Sequence, residues 1–265
     1  MRYRPVPETR IGCANLLAGC AKSEKQVTSM QGVLRLRFMA APSLSSVRAL
    51  IFDLDGTLID SKQDLIRSVN AMLVETGREP LHEDTVSSYI GHGAPRLVAR
   101  ALGNGATEEE CARALKFFLA HYDEHKLDTT CAYPGIAEAL EELREFPMAV
   151  LTNKPVRVSR KILEGLGLAN YFRSVYGGNS FETKKPDPLG ARKILEELSV
   201  APAEALIVGD SEVDVQTARN AGTSAAAVNY GFGTHDRAAY PADIYLDRLT
   251  DLVKVLRAAK HEAYG

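Results

Sequence analysis

Two carboxylates stand two residues apart at Asp53 and Asp55, inside F-D-L-D-G-T-L-I-D (52–60) and directly after the apolar run V-R-A-L-I-F. Polar groups recur at the ends of comparable runs: Thr152 and Asn153 after M-A-V-L, Lys184 and Lys185 in K-K-P-D-P, and Asp210 with Asp214 in G-D-S-E-V-D. Clustered carboxylates repel one another and are costly unless a cation joins them. Asp53, Asp210 and Asp214 offer hard oxygen ligands of the kind Mg²⁺ takes. Thr152, Asn153 and Lys185 are donors suited to a phosphoryl group. A carboxylate beside a metal and a phosphate can act as a nucleophile and form an aspartyl-phosphate. A second carboxyl two residues on can protonate the leaving oxygen and then activate water. Gly56-Thr57 lets the chain turn sharply at this point. The competing reading of each group alone is a surface charge.

These groups can act together only if the fold gathers them. From Val47 onward, nearly continuous apolar runs at 47–53, 148–153, 174–178, 205–210, 225–229 and 243–246 read as strands buried on both faces. Helical patterns lie between them at 135–145, 156–167, 188–198, 213–221 and 248–259. Alternating strands and helices predict an α/β fold, a Rossmann-like doubly wound parallel sheet. Between Asp60 and Tyr133 the alternation stops. Leu65, Val69, Met72 and Leu73 recur there at helical spacing, which predicts an all-helical insertion after the first strand. Ligands of such sheets bind at the carboxyl ends of the strands, so the insertion would lie over the site as a lid.

The bulk numbers bound the alternatives. The 265 residues are 45% hydrophobic and 25% charged, with a formal net charge of -2, an ordinary globular composition. That balance argues against nucleic acid as the main partner. No run of about 18 apolar residues suggests a membrane span. Cys13, Cys20, Cys111 and Cys131 form no C-x-x-C pair, and a reducing, cytoplasmic setting is expected. Residues 1–46 carry seven Lys or Arg against Glu8 and Glu24, without a clean period. They read as a disordered extension, or as the product of an upstream start with Met39 as the true one. Leu17-Ala18-Gly19-Cys20 as a lipoprotein cleavage site and an Arg-rich targeting peptide are the competing readings.

Taken together, the motifs resemble the haloacid dehalogenase superfamily over about residues 47–247. D-L-D-G-T (53–57) matches its D-x-D-x-T signature, L-T-N (151–153) its strand-ending Thr motif, the K-P of K-K-P-D-P its lysine motif, and G-D-S-E-V-D (209–214) its acidic motif. The resemblance implies that Asp53 is the nucleophile, Asp55 the general acid/base, and Lys185 rather than Lys184 the motif lysine. It implies Mg²⁺ held by Asp53, the backbone carbonyl of Asp55 and Asp210, with Asp214 acting through water or as support. Asp at position 55 favours phosphoryl chemistry over dehalogenation. The implied organisation is a core of 47–60 and 134–265 with a type 1 cap at 61–133. T-N-K-P, I-G-H-G-A (90–94) and the segment 178–188 resemble phosphoglycolate phosphatases in particular.

The expected activity is therefore Mg²⁺-dependent hydrolysis of a small phosphorylated metabolite, 2-phosphoglycolate first, by a monomer or homodimer. A β-phosphoglucomutase-like mutase and a phosphatase for sugar phosphates or pyrophosphate are the rivals. Phosphonate cleavage would need a cap lysine, and no lysine occurs between Lys62 and Lys116. In the cap, Gly91, His92 and Gly93 could bring backbone N–H groups to a ligand, and Arg96 could fork onto a substrate carboxylate. His121, Glu124 and His125 fit H-x-x-E-H, but without a further ligand they read as a solvated helix face rather than a zinc site. Gly165-Leu166-Gly167 reads as a helix C-cap.

Overall fold

Six aliphatic runs pair into one parallel sheet in the computed structural model, which describes residues 44–233 and 236–264. The strands are β1 (Ala49–Phe52), β4 (Met148–Leu151), β5 (Ser174–Tyr176), β6 (Ala205–Gly209), β7 (Ser224–Val228) and β8 (Ile244–Leu246), in the order β5-β4-β1-β6-β7-β8. β2 (Ile59–Asp60) and β3 (Cys131–Ala132) form a separate antiparallel ribbon. Ile51 of β1 lies in register with Ala149 on one side and Ile207 on the other.

All four β1 residues are buried, and they alternate between two cores, as the period-two geometry of a strand requires. Leu50 and Phe52 join a cluster with α5 (Ile136–Glu142), α6 (Val156–Gly165) and α9 (Leu249–Tyr264). Ala49 and Ile51 join a second cluster with α7 (Leu189–Leu198) and α8 (Glu212–Ala221). Helices thus cover both faces. The chain leaves β1 toward β4 and β5, then returns past it to β6, β7 and β8, which makes the carboxyl end of β1 the topological switch point.

Four helices occupy the interval that the apolar spacing marked as an insertion: α1 (Lys62–Glu75), α2 (Glu83–Ser87), α3 (Ala94–Leu102) and α4 (Glu108–His125). Leu65, Val69, Met72 and Leu73 are buried along α1. α4 opens on a capping box between Thr107 and Glu110. The β2–β3 ribbon, where the chain enters and leaves this helical layer, was not expected, since two-residue strands leave no periodic trace. Asp64 fastens the same junction. Its buried carboxylate accepts hydrogen bonds from the backbone N–H and hydroxyl groups of both Thr129 and Thr130. Burial would lift this carboxyl, but those four donors hold it below the ordinary range.

Leu44–Ser46 form a single 3-10 turn, and Leu44 packs against the core. Residues 44–46, part of the extension expected over 1–46, thus lie among the described residues. The expectations about Met39, Cys20 and a targeting peptide fall on residues 1–43, outside the described residues. Among the described residues no helix is long and apolar enough to cross a membrane.

Candidate active site

β1 ends at Phe52, and the next residues turn back under a tight constraint. Gly56 has φ +81, and a Cβ there would lie 2.1 Å from Asp210 Oδ2. Only glycine meets both conditions without strain, so Gly56 brings the Asp53–Asp55 turn against the end of β6. Gly209 plays a similar part beside Asp214, where a Cβ would lie 2.1 Å from the carboxyl carbon.

The turn assembles three carboxylates around one ammonium. Asp53, Asp210 and Asp214 place carboxylate oxygens within 4.8 Å of one another. Lys185, 5% exposed, sets its Nζ 2.8 Å from Asp53 Oδ1 and 2.7 Å from Asp214 Oδ1. The second is a hydrogen bond; the first is an ion pair outside hydrogen-bond geometry, so Asp53 Oδ1 is buried without a hydrogen-bond partner among the described residues. Asp214 Oδ2 accepts from the backbone N–H and hydroxyl of Ser211, capping α8. Asp210 Oδ2 accepts from the N–H groups of Phe232 and Gly233, at 3.1 and 2.7 Å.

Burial dominates the electrostatics. It pushes the Asp53 carboxyl up to about 6, opposed by Lys185 and reinforced by Asp214. It raises Asp210 well above the ordinary carboxylate range, and the neighbouring charges of Asp214 and Asp53 add to this. Lys185 is raised although burial opposes its charge, because Asp214 and Asp53 face it. One ammonium does not offset three carboxylates. The excess negative charge and the buried oxygen of Asp53 without a hydrogen-bond partner fit a hard divalent cation.

Thr152 and Asn153 follow β4. Thr152 is buried, and its Oγ1 accepts from the Lys154 N–H at 3.2 Å. The Asn153 side chain departs from its expected role as a phosphate donor. Its Nδ2 donates to the carbonyls of Gly91 and Lys185, at 3.1 and 3.2 Å, and so ties the Gly91-His92-Gly93 loop to the core. Lys184 adds a second tie from Nζ to the His92 carbonyl, at 2.9 Å.

A cation not singled out in the sequence, Lys154, completes the arrangement. Its Nζ lies 2.8 and 3.0 Å from the two oxygens of Asp55. On its other side the Tyr122 ring of α4 sits 4.5 Å from Nζ. Ser61 Oγ also donates to Asp55 Oδ1, at 2.5 Å. The only sequence signal was Lys154's place within T-N-K-P.

Asp53, Asp55, Thr152, Asn153 and Lys154 line a cavity whose helical side is formed by Leu65, Ile90, Gly91, Gly93, Ala94, Leu97, Phe118, Leu119 and Tyr122. Arg96 and His92 do not line it. Arg96 is exposed and borders a separate groove with Tyr89 and Arg100, because one turn of α3 points Leu97 inward and Arg96 outward. His121 and His125 also stand apart: His121 Nδ1 pairs with Ser68 Oγ and His125 Nδ1 with Asp128 Oδ2.

Comparison with known proteins agrees with this geometry. Residues 50–228 match the family described as haloacid dehalogenase-like hydrolase. A phosphoglycolate phosphatase of Chromobacterium violaceum is 36% identical over 221 residues, covering 81% of this chain and 99% of that one. Phosphoglycolate phosphatase 1 of Pseudomonas aeruginosa is 40% identical over 216 residues, covering 78% of each. The crystal structure of a predicted phosphoglycolate phosphatase from Haemophilus somnus superposes with a TM-score of 0.75 at 30% identity, covering 79% of this chain and 98% of that one. With its matched segment spanning the Asp53 turn, the strand-end donors and the acidic cluster, the chain belongs to the haloacid dehalogenase-like hydrolase family.

Proposed function

We propose that this protein is a Mg²⁺-dependent phosphomonoester hydrolase that cleaves 2-phosphoglycolate through an aspartyl-phosphate on Asp53. The observation that carries this is the pairing of two carboxylates with different surroundings in one cavity. Asp53 lies against Lys185 and the acidic cluster, and Asp55 faces Lys154. Different environments for adjacent carboxyls assign different roles.

In the first half-reaction Asp53 attacks phosphorus. The bond from phosphorus to the leaving oxygen breaks with its electron pair, and Asp55 gives that oxygen a proton. In the second half, the Asp55 carboxylate takes a proton from water as the water oxygen attacks phosphorus. The bond from phosphorus to Asp53 then breaks and restores the carboxylate. Thr152 and Lys185 would hold phosphoryl oxygens. Asp53, the Asp55 carbonyl and Asp210 would hold Mg²⁺, which offsets the clustered negative charge and polarises the phosphoryl group. Asp214 supports the set from behind, since its two oxygens are engaged by Lys185 and Ser211.

The substrate is supported by the relatives, which are named for phosphoglycolate. The test is phosphate release from phosphoglycolate, glucose phosphates, pyrophosphate and nucleoside monophosphates, with and without Mg²⁺. Phosphoglycolate should have the highest kcat/KM, lost in EDTA and restored by Mg²⁺. A preference for hexose phosphates, or full activity in EDTA, would overturn the proposal.

A further inference from the structure

Lys154 has no part in the steps above, yet it is the cation nearest to Asp55. It is 6% exposed. Its backbone is fixed on two sides: its N–H donates to Thr152 Oγ1, and its carbonyl accepts from the Gly178 N–H at 2.9 Å. Gly177 and Gly178 permit that approach, since a Cβ on either would lie 2.4 Å from the carbonyl oxygen of Lys154 or Asn153 respectively. The side chain then spans from the end of β4 to both oxygens of Asp55. Its ammonium is covered by the Tyr122 ring, which is itself 2% exposed and belongs to the helical layer above the sheet.

A carboxyl that transfers a proton must be held at the leaving oxygen, because loose placement at the reacting atoms costs orders of magnitude in rate. Asp55 directly precedes the glycine-permitted bend at Gly56, and Ser61 holds only its Oδ1. Lys154 restrains both oxygens at once. The Tyr122 face strengthens the arrangement, since an aromatic ring attracts a buried ammonium and displaces water from it. The helical layer therefore reaches the proton-transfer group through Lys154.

We propose that Lys154 is a positioning residue for Asp55, set by Tyr122 of α4, and that it serves leaving-group departure rather than substrate binding. This rests on the hydrolase reading given above. Its signature is a dependence on the leaving group. An alkoxide needs a proton as it leaves, whereas a nitrophenolate does not. The ratio kcat/KM covers steps up to the departure of the leaving group, so it isolates the half-reaction in which Asp55 donates.

The experiment compares wild type, Lys154→Met, Lys154→Arg and Tyr122→Leu on three substrates: phosphoglycolate, ethyl phosphate and p-nitrophenyl phosphate. Lys154→Met keeps the length of the chain and removes the charge. Its kcat/KM should fall about 10- to 100-fold on both alkyl esters, part of the span of general acid catalysis, and by less than about 3-fold on the nitrophenyl ester. Lys154→Arg should recover most of that loss. Tyr122→Leu should show the same selectivity with a smaller amplitude, and it tests the idea even if Lys154→Met does not fold. Equal losses on alkyl and nitrophenyl esters would overturn the inference, as would a loss confined to phosphoglycolate, which would make Lys154 a reader of the substrate carboxylate. A wild type inert on all three substrates would instead sink the hydrolase reading.

Discussion

Asp64 offers the sharpest test of how the helical layer is held. It lies in the first turn of α1, and its partners Thr129 and Thr130 stand just before β3, so it ties the entry of that layer to its exit. The Asp64→Asn change keeps the shape and removes the charge. Four donors now meet a carboxylate: the N–H and hydroxyl of Thr129 at 3.0 and 2.6 Å, and those of Thr130 at 2.9 and 2.8 Å. Hydrogen bonds to a charged group contribute about 1.5–3 kcal/mol and neutral ones about 0.5–1.5. The amide replaces one acceptor oxygen by an –NH2 that faces a backbone N–H, leaving that buried donor unpaired at about 1–3 kcal/mol, and the lost charge weakens the bonds that remain, for a total of about 2–4 kcal/mol. For a domain of this size that lowers Tm by about 4–16 °C, readable by circular dichroism at pH 7. The pH dependence gives a second check. The four donors hold the folded carboxyl below its ordinary value against the effect of burial. Its contribution is then complete above the unfolded value of about 3.9 and is lost as pH falls through the folded one. The gap between wild type and Asp64→Asn should be full at pH 7 and should narrow below about pH 4. A Tm within about 2 °C of wild type at pH 7, or a gap that widens in acid, would refute the reasoning.

Three further outcomes are expected. Asp53→Asn should fold normally and lose turnover by a factor on the order of 10³ or more; retention of a tenth of the phosphate-release rate would rule out the aspartyl-phosphate. Gly56→Ala places a Cβ against Asp210 at a φ of +81, so it should cost at least about 1–3 kcal/mol in urea unfolding and weaken Mg²⁺ binding measured by calorimetry; an unchanged midpoint and affinity would show that the turn relaxes freely. Arg96→Ala removes an exposed side chain outside the cavity, so kcat/KM on phosphoglycolate should stay within about 3-fold, as for an ordinary surface change; a larger loss specific to phosphoglycolate would return Arg96 to the substrate site.

The parallel sheet was legible because strands buried on both faces are largely apolar, and the runs ending at Phe52, Leu151, Gly209 and Val228 carry that mark, while the edge strands ending at Tyr176 and Leu246 are only partly buried. The helical insertion was legible because Leu65, Val69, Met72 and Leu73 keep a helical period. Asp53, Asp55, Thr152, Lys185, Asp210 and Asp214 stood out because each follows such a run, and the ends of parallel strands converge. What the sequence could not supply were partners and directions. Lys154 meets Asp55 across 99 positions and Asp64 meets Thr129 across 65; no local pattern encodes either contact. Asn153 was read as a phosphate donor from its place after β4, but the folded chain turns its amide to the Gly91 and Lys185 carbonyls. Arg96 was read as a substrate fork from its place near a glycine loop, but the rotation of α3 sends it to solvent. Residue type and periodicity determine which chemistry is present and which face is buried. Which groups face one another is decided only when helices dock on a sheet, because that choice depends on the packing of distant side chains.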